Sequence, residues 1–196
     1  MTEQDLDYVR QMYESGDDPW RISTGRYERR KRELLLASLP EDRYQRAFEP
    51  ACASGALTGL LQPRCDILLA ADVAERAVEL TRLRVPDAEV VQLQVPQDWP
   101  GGQFDLIVLS EFGYYLPTAD WAQLVTRVAE SLAQSWTVVA CHWRHPFAER
   151  LISTDELHAE LAAALPGRLV TTIEDEDFRL EVWANSGSSL AERDDR

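Results

Sequence analysis

Between Ala47 and Val73 the chain reads AFEPACASGALTGLLQPRCDILLAADV, and this stretch restricts the fold more than any other. Two short apolar runs flank a turn of small residues, and each run ends on a carboxylate, Glu49 or Asp72. Unbroken apolar runs of that length read as parallel strands buried on both faces. A turn of alanine, cysteine, serine and glycine lets the main chain approach a ligand closely. In an open parallel sheet, ligands bind outside the carboxyl ends of the strands. An acidic side chain after the second strand is then placed to accept hydrogen bonds from ribose hydroxyls.

The remaining chain supplies the elements such a sheet needs. Apolar spacing predicts a short helix over residues 3 to 14, and a second over 25 to 39 whose basic run RYERRKR reads as a solvated face. Strands are expected over 44–50 and 66–71 with a short helix over 56–61 between them, then a helix over 74–85 and a strand over 89–95. FDLIVLS, residues 104–110, is continuous and apolar, and so reads as the central strand. A helix over 119–132, a fifth strand over 136–141 and a helix opened by the capping box Ser153 and Glu156 follow. RLVTTIEDEDFRLEVWANS reads as two strands joined by an acidic turn. The expected architecture is α/β, a Rossmann-like, mostly parallel sheet with a C-terminal antiparallel hairpin and helices on both faces. The segment 1–40 is expected to be a helical lid, 41–186 the ligand-binding core and 187–196 a disordered tail.

Several classes of function fall away on composition. A net charge of −14 over 196 residues argues against a nucleic-acid partner, which requires a basic stripe. No apolar run approaches the length of a membrane span. Cys52, Cys65 and Cys141 are odd in number and set in apolar contexts, which points to reduced thiols in a cytoplasmic protein rather than to a disulfide framework. His142 and His145, spaced H-x-x-H without a carboxylate or cysteine partner, do not make a metal site. The expected state is a monomer or weak homodimer.

Two nucleoside ligands suit the opening stretch, a dinucleotide and S-adenosylmethionine (SAM). A dinucleotide site wants GxGxxG under its pyrophosphate. Here the turn is Ala51, Cys52, Ala53, Ser54, Gly55, Ala56, so two glycines are missing. SAM has no phosphate. Its ammonium suits a carboxylate such as Glu49, and its sulfonium suits carbonyl and aromatic faces. The residues favour SAM, with a dinucleotide oxidoreductase as the weaker reading.

EPACASGALT, RCDILLAADVAERAVELTR, VPQDWPGGQFDLIVLSEFGYYL and ACHWRHP, with DPW and YERRK near the start, together resemble the nodulation protein S type of class I SAM-dependent methyltransferase. The similarity covers roughly residues 5 to 185. It implies a seven-stranded sheet and an N-methyltransferase acting on the free amine of a partly deacetylated chitooligosaccharide, with S-adenosylhomocysteine (SAH) as product. By position, the resemblance makes Glu49, Ala51, Ala53 and Gly55 the turn under the methionine part of SAM and Asp72 the ribose ligand. Val73 flanks the adenine, and Val95 and Pro96 close its other side. Ser110 and Glu111 face the methionine and the methyl group. Ala51 and Ala53 depart from the glycines common in methyltransferases, and each added methyl crowds the ligand or demands a φ that alanine resists.

Methyl transfer requires alignment of donor and acceptor, exclusion of water and a neutral amine. Glu111 is a candidate to hold the acceptor ammonium or accept its proton, against the plainer role of bonding loop amides. His142 is a candidate base and His145 a sugar partner, against a strand-end histidine satisfied by backbone. Tyr114 and Tyr115 offer flat surfaces for a sugar ring, or else plug the core. Trp20 is a candidate to cover the cofactor, and so is Tyr27, against the plainer reading that both pack on the body. The expected partner is a small-molecule amine, with an amino sugar as one class. The alternative is a SAM-fold binding or scaffold protein without turnover.

Overall fold

The computed structural model describes residue 8, residues 11–185 and residues 188–194. Its elements in chain order are α1 (Arg26–Ser38), β1 (Tyr44–Pro50), α2 (Thr58–Leu61), β2 (Cys65–Asp72), α3 (Glu75–Arg84), β3 (Glu89–Gln92), β4 (Phe104–Ser110), α4 (Thr118–Glu130), β5 (Leu132–Trp143), α5 (Thr154–Ala164), β6 (Arg168–Glu174), β7 (Phe178–Ala184) and α6 (Leu190–Arg193). The strands form one seven-stranded sheet in the order β3-β2-β1-β4-β5-β7-β6. β1 to β5 pair in parallel. β7 alone runs the other way, inserted between β5 and β6.

Strand alternation sorts the core into two layers. Leu106 and Val108 of β4 and Val139 and Cys141 of β5 pack against Leu35 and Leu39 beside α1. Ile107, Leu109, Val138 and Ala140 point to the opposite face and meet Trp121 and Leu124 of α4 and Leu157 and Leu161 of α5. Every side chain of FDLIVLS between Leu106 and Leu109 is fully buried, as its central position between β1 and β5 requires. The strand order reverses at β1 and β4, so their carboxyl ends border a crevice.

Several boundaries shift from the sequence expectation. The helix after the small-residue turn starts at Thr58 and continues as a 3-10 turn through Arg64. β3 stops at Gln92 because the chain turns, with Asp98 N–H donating to Gln94 O at 2.9 Å. β5 runs to Trp143, two residues past its expected end, with consequences for His142. α5 carries the full capping box of Ser153 and Glu156. Residues 11 to 14 are helical, and most of the expected helix over 3–14 lies outside the described residues. In the expected tail, Leu190–Arg193 forms a helical turn whose Arg193 pairs with Glu41 at 2.7 Å, while Gly187 and the last two residues lie outside the described residues. Among the described residues no helix is long and apolar enough to cross a membrane.

Candidate functional site

The loops leaving β1, β2 and β4, together with α1 and the segment before it, wall a cavity of about 520 Å³. Glu49, the penultimate residue of β1, lines it and is only 3% exposed. Burial pushes its carboxyl up to about 8. Its Oε2 is buried and has no hydrogen-bond partner among the described residues. Buried polar atoms are nearly always satisfied; the Thr58 hydroxyl, also buried, is the neighbouring donor that acts on this carboxyl, and Glu49 has no cationic partner among the described residues.

Asp72, at the end of β2, also lines the cavity. Its Oδ2 accepts the Ala53 N–H and its Oδ1 the Ala74 N–H, both at 2.9 Å. Burial raises its carboxyl to about 6, and these amide bonds hold it from going higher. The turn between β1 and α2 is strained where the sequence suggested. Ala51 and Ala53 adopt φ +57° and +51°, the left-handed region that L-residues resist. Gly55 lies outside the cavity wall. At φ +74° it lets the turn meet α3, because an added Cβ would come within 3.0 Å of the Thr81 side chain.

Of the expected adenine contacts, Val73 and Val95 line the cavity with Leu93 and Gln94 between them, while Pro96 does not. Trp20 lines the cavity as well, its ring edge-on to Tyr13 at 5.5 Å and packed with Ala74 and Ala77. Ser110, Glu111, Tyr114 and Tyr115 line the far end, joined by Tyr27, Trp143 and Phe147.

Glu111 is not a free carboxylate. At φ +61° it turns its side chain back toward α1, where Lys31 Nζ lies 2.9 Å from its Oε1. Its Oε2 accepts from the Tyr114 hydroxyl and, at 3.3 Å, from the Trp143 N–H. Lys31 is 3% exposed and also pairs with Glu28 at 2.9 Å. Burial alone would lower the Lys31 ammonium; Glu111 and Glu28 override it and hold the charge. The basic run of α1 is thus only partly solvated, since Lys31 and Arg32 turn inward. Lys31 was legible in principle, because it shares the helical stripe of Tyr27, Leu34 and Leu35.

The two histidines do not join this group. His142 is fully buried and absent from the cavity wall. Because β5 extends to Trp143, alternation sends Trp143 to the cavity and His142 to the opposite face, against Trp121 and His158. Its Nδ1 is 3.1 Å from His158 Nε2, and His158 Nδ1 is 2.8 Å from Glu181 Oε2. Burial drives the His142 imidazole far below its usual range, so it stays neutral. His145 also stays outside the cavity wall, its Nε2 2.8 Å from Asp177 Oδ1. The expectations of His142 as base and His145 as substrate partner are therefore corrected. Among the described residues no group of three or more His, Cys, Asp or Glu is arranged to hold a metal ion.

A family model described as nodulation protein S (NodS) matches residues 3–140. The chain belongs to the NodS family. It is 38% identical to nodulation protein S of Bradyrhizobium diazoefficiens over 104 residues, 51% of this chain and 50% of that protein. With the Rhizobium tropici protein it shares 39% over 106 residues, 52% and 44% of the two chains. The chain thus spans about half the length of the curated NodS relatives it matches. A solved structure from Pseudomonas syringae assigned as a methyltransferase is 43% identical, with a TM-score of 0.72 over 81% of this chain and 98% of that one. N-methyltransferase NodS from Bradyrhizobium japonicum WM9, in complex with SAH, superposes with a TM-score of 0.83 at 24% identity, over 92% of this chain and 98% of that one. The chain has the class I SAM-dependent methyltransferase fold, with its mixed seven-stranded sheet and C-terminal antiparallel hairpin.

Proposed function

We propose that this chain is a SAM-dependent N-methyltransferase that transfers a methyl group to an amine of a small molecule, with an amino sugar such as a deacetylated chitooligosaccharide as the acceptor class. The observation that carries the reading is Glu49, a buried carboxylate that lines the cavity and has no cationic partner among the described residues, which fits a ligand ammonium. Asp72 keeps lone pairs beyond its two amide bonds for ribose hydroxyls. Val73, Leu93 and Val95 give an apolar slot for the base, and Trp20 covers it. When bound, SAM supplies a methyl group made electrophilic by its sulfonium.

The chain's own residues then align the acceptor and keep water out. Tyr115 meets Tyr8 at 6.1 Å and Phe147 at 5.5 Å, an aromatic wall suited to a sugar face. The segment 1–40 acts as a lid over the core 41–186: Tyr8, Met12, Trp20 and Ile22 from it line the cavity. Three free, buried cysteines support a reducing, cytoplasmic setting. Membership of a family that includes the N-methyltransferase NodS of Bradyrhizobium japonicum WM9 supports the amine acceptor.

Incubation with methyl-labelled SAM and a panel of glucosamine oligomers, their fully acetylated counterparts and simple amines tests the proposal. Label is expected on the free-amine forms. Label on the acetylated forms alone would contradict an amine acceptor. SAH binding without transfer to any member would favour the scaffold reading, for which the crowded turn at Ala51 and Ala53 is the motive.

A further inference from the structure

Four charged side chains meet at the far end of the cavity, and all four line it. Lys31 Nζ lies 2.9 Å from both Glu28 Oε1 and Glu111 Oε1, and 4.9 Å from the Tyr27 ring centre. Arg32 Nη1 is 3.7 Å from Glu28 Oε2. The second oxygen of Glu111 is used by the Tyr114 hydroxyl and the Trp143 N–H. Two carboxylates face two cations, so this cluster carries no net formal charge; outside it, Glu149 also lines the cavity and acts on Tyr8 and Tyr115, while the Arg150 guanidinium lies 4.9 Å from the Tyr114 ring centre.

A pocket built to hold an acceptor as its ammonium would present a carboxylate lacking a counter-ion. Here the Glu111 carboxylate, next to Ser110 at the end of the central strand, already has one, delivered by α1 from 80 positions away in sequence. A second cation placed there would meet the Lys31 ammonium in a partly dehydrated site, where like charges repel strongly. We infer that Lys31 is a specificity-determining residue: it neutralises the acceptor end, so that the acceptor amine enters uncharged, its proton left in solvent and its lone pair free. This rests on the methyltransferase reading and deepens it. It also separates the two ends of the cavity. Glu49, without a counter-ion, takes a cation, and Glu111, already paired with Lys31, faces a neutral group.

The test compares choline with its uncharged carbon analogue, in which a quaternary carbon replaces the nitrogen, by calorimetric binding to the chain saturated with SAH. The wild type is expected to bind the neutral analogue at least as tightly as choline. Lys31→Met leaves the carboxylates in excess, and the preference should move toward choline by about tenfold. Lys31→Met combined with Glu28→Gln restores zero net charge and should return the wild-type ratio, a rescue that a purely structural role would not give. A wild type that prefers choline by about tenfold, or a ratio unmoved by Lys31→Met, overturns the inference. The wild-type ratio needs no variant to fold. Failure of SAH itself to bind would instead remove the methyltransferase reading, and this inference with it.

Discussion

Asp72 Oδ2 accepts the Ala53 N–H at 2.9 Å, while the partner oxygen accepts the Ala74 N–H. One carboxylate therefore pins the turn under the cavity to the start of α3, besides facing the ligand. Asp72→Ala should lose both functions at once. Two amide donors lose their acceptor, which costs about 1–3 kcal/mol of folding stability, and SAH affinity should drop as well. Thermal unfolding and calorimetric titration of the same variant read the two losses. Weakened binding with unchanged stability would contradict the pinning role.

Ala51 and Ala53 sit at φ +57° and +51°. A left-handed L-residue costs about 1–2 kcal/mol, and glycine returns some of that through its greater unfolded-state entropy. Ala51→Gly and Ala53→Gly should each stabilise the chain by up to about 1 kcal/mol in denaturant unfolding, and the removed methyl groups should tighten SAH binding. Loss of stability in both variants would show that the alanines are tolerated without strain.

Glu49 is raised to about 8 and Asp72 to about 6, both chiefly by burial. A carboxyl raised above its unfolded value of about 4 holds its proton better in the folded chain, so its contribution is full below that value and fades as pH climbs through the folded pKa. The Asp72 window closes near pH 6 and the Glu49 window near pH 8. Relative to Glu49→Gln, the wild type should lose stability from about pH 5 to 8, with a slope of at most about 1.4 kcal/mol per pH unit. Over the same window SAH affinity should rise, because an ammonium needs Glu49 ionised. Denaturation and titration at paired pH values check both signs.

Glu111→Gln breaks the ion pair with Lys31 at the far end and leaves the Glu49 end untouched. Turnover should fall at least about tenfold, with SAH affinity nearly unchanged. Full activity in this variant would remove Glu111 from the acceptor site.

The chain from His142 through His158 to Glu181 lies in the core, between β5, α5 and β7. His142→Gln should cost about 1–3 kcal/mol of stability by disturbing the buried contact at His158 Nε2 while Glu181 keeps the other ring nitrogen, a larger effect than any on turnover. A pH–rate profile that loses a limb in this variant would restore His142 as a base.

The framework of the sheet was legible because its signals are local. FDLIVLS is buried on both faces, and Glu49 and Asp72 close their strands where the apolar runs stop. The capping box of α5 was equally readable. What failed to show was set by contacts distant in sequence. RYERRKR looks solvated until Glu111 supplies a buried counter-charge for Lys31. HWRHP looks like a loop until pairing with β7 extends β5 through Trp143 and turns His142 away from the crevice. Gly55 reads as a ligand contact, whereas the near approach of Thr81 is what requires it.

Whether the cavity receives SAM through Glu49 is read by calorimetric titration of SAH into the wild type and Glu49→Gln. Binding to the wild type and at least about tenfold weaker binding to the variant are expected. Equal affinities, or no heat from the wild type at saturating SAH, would contradict it.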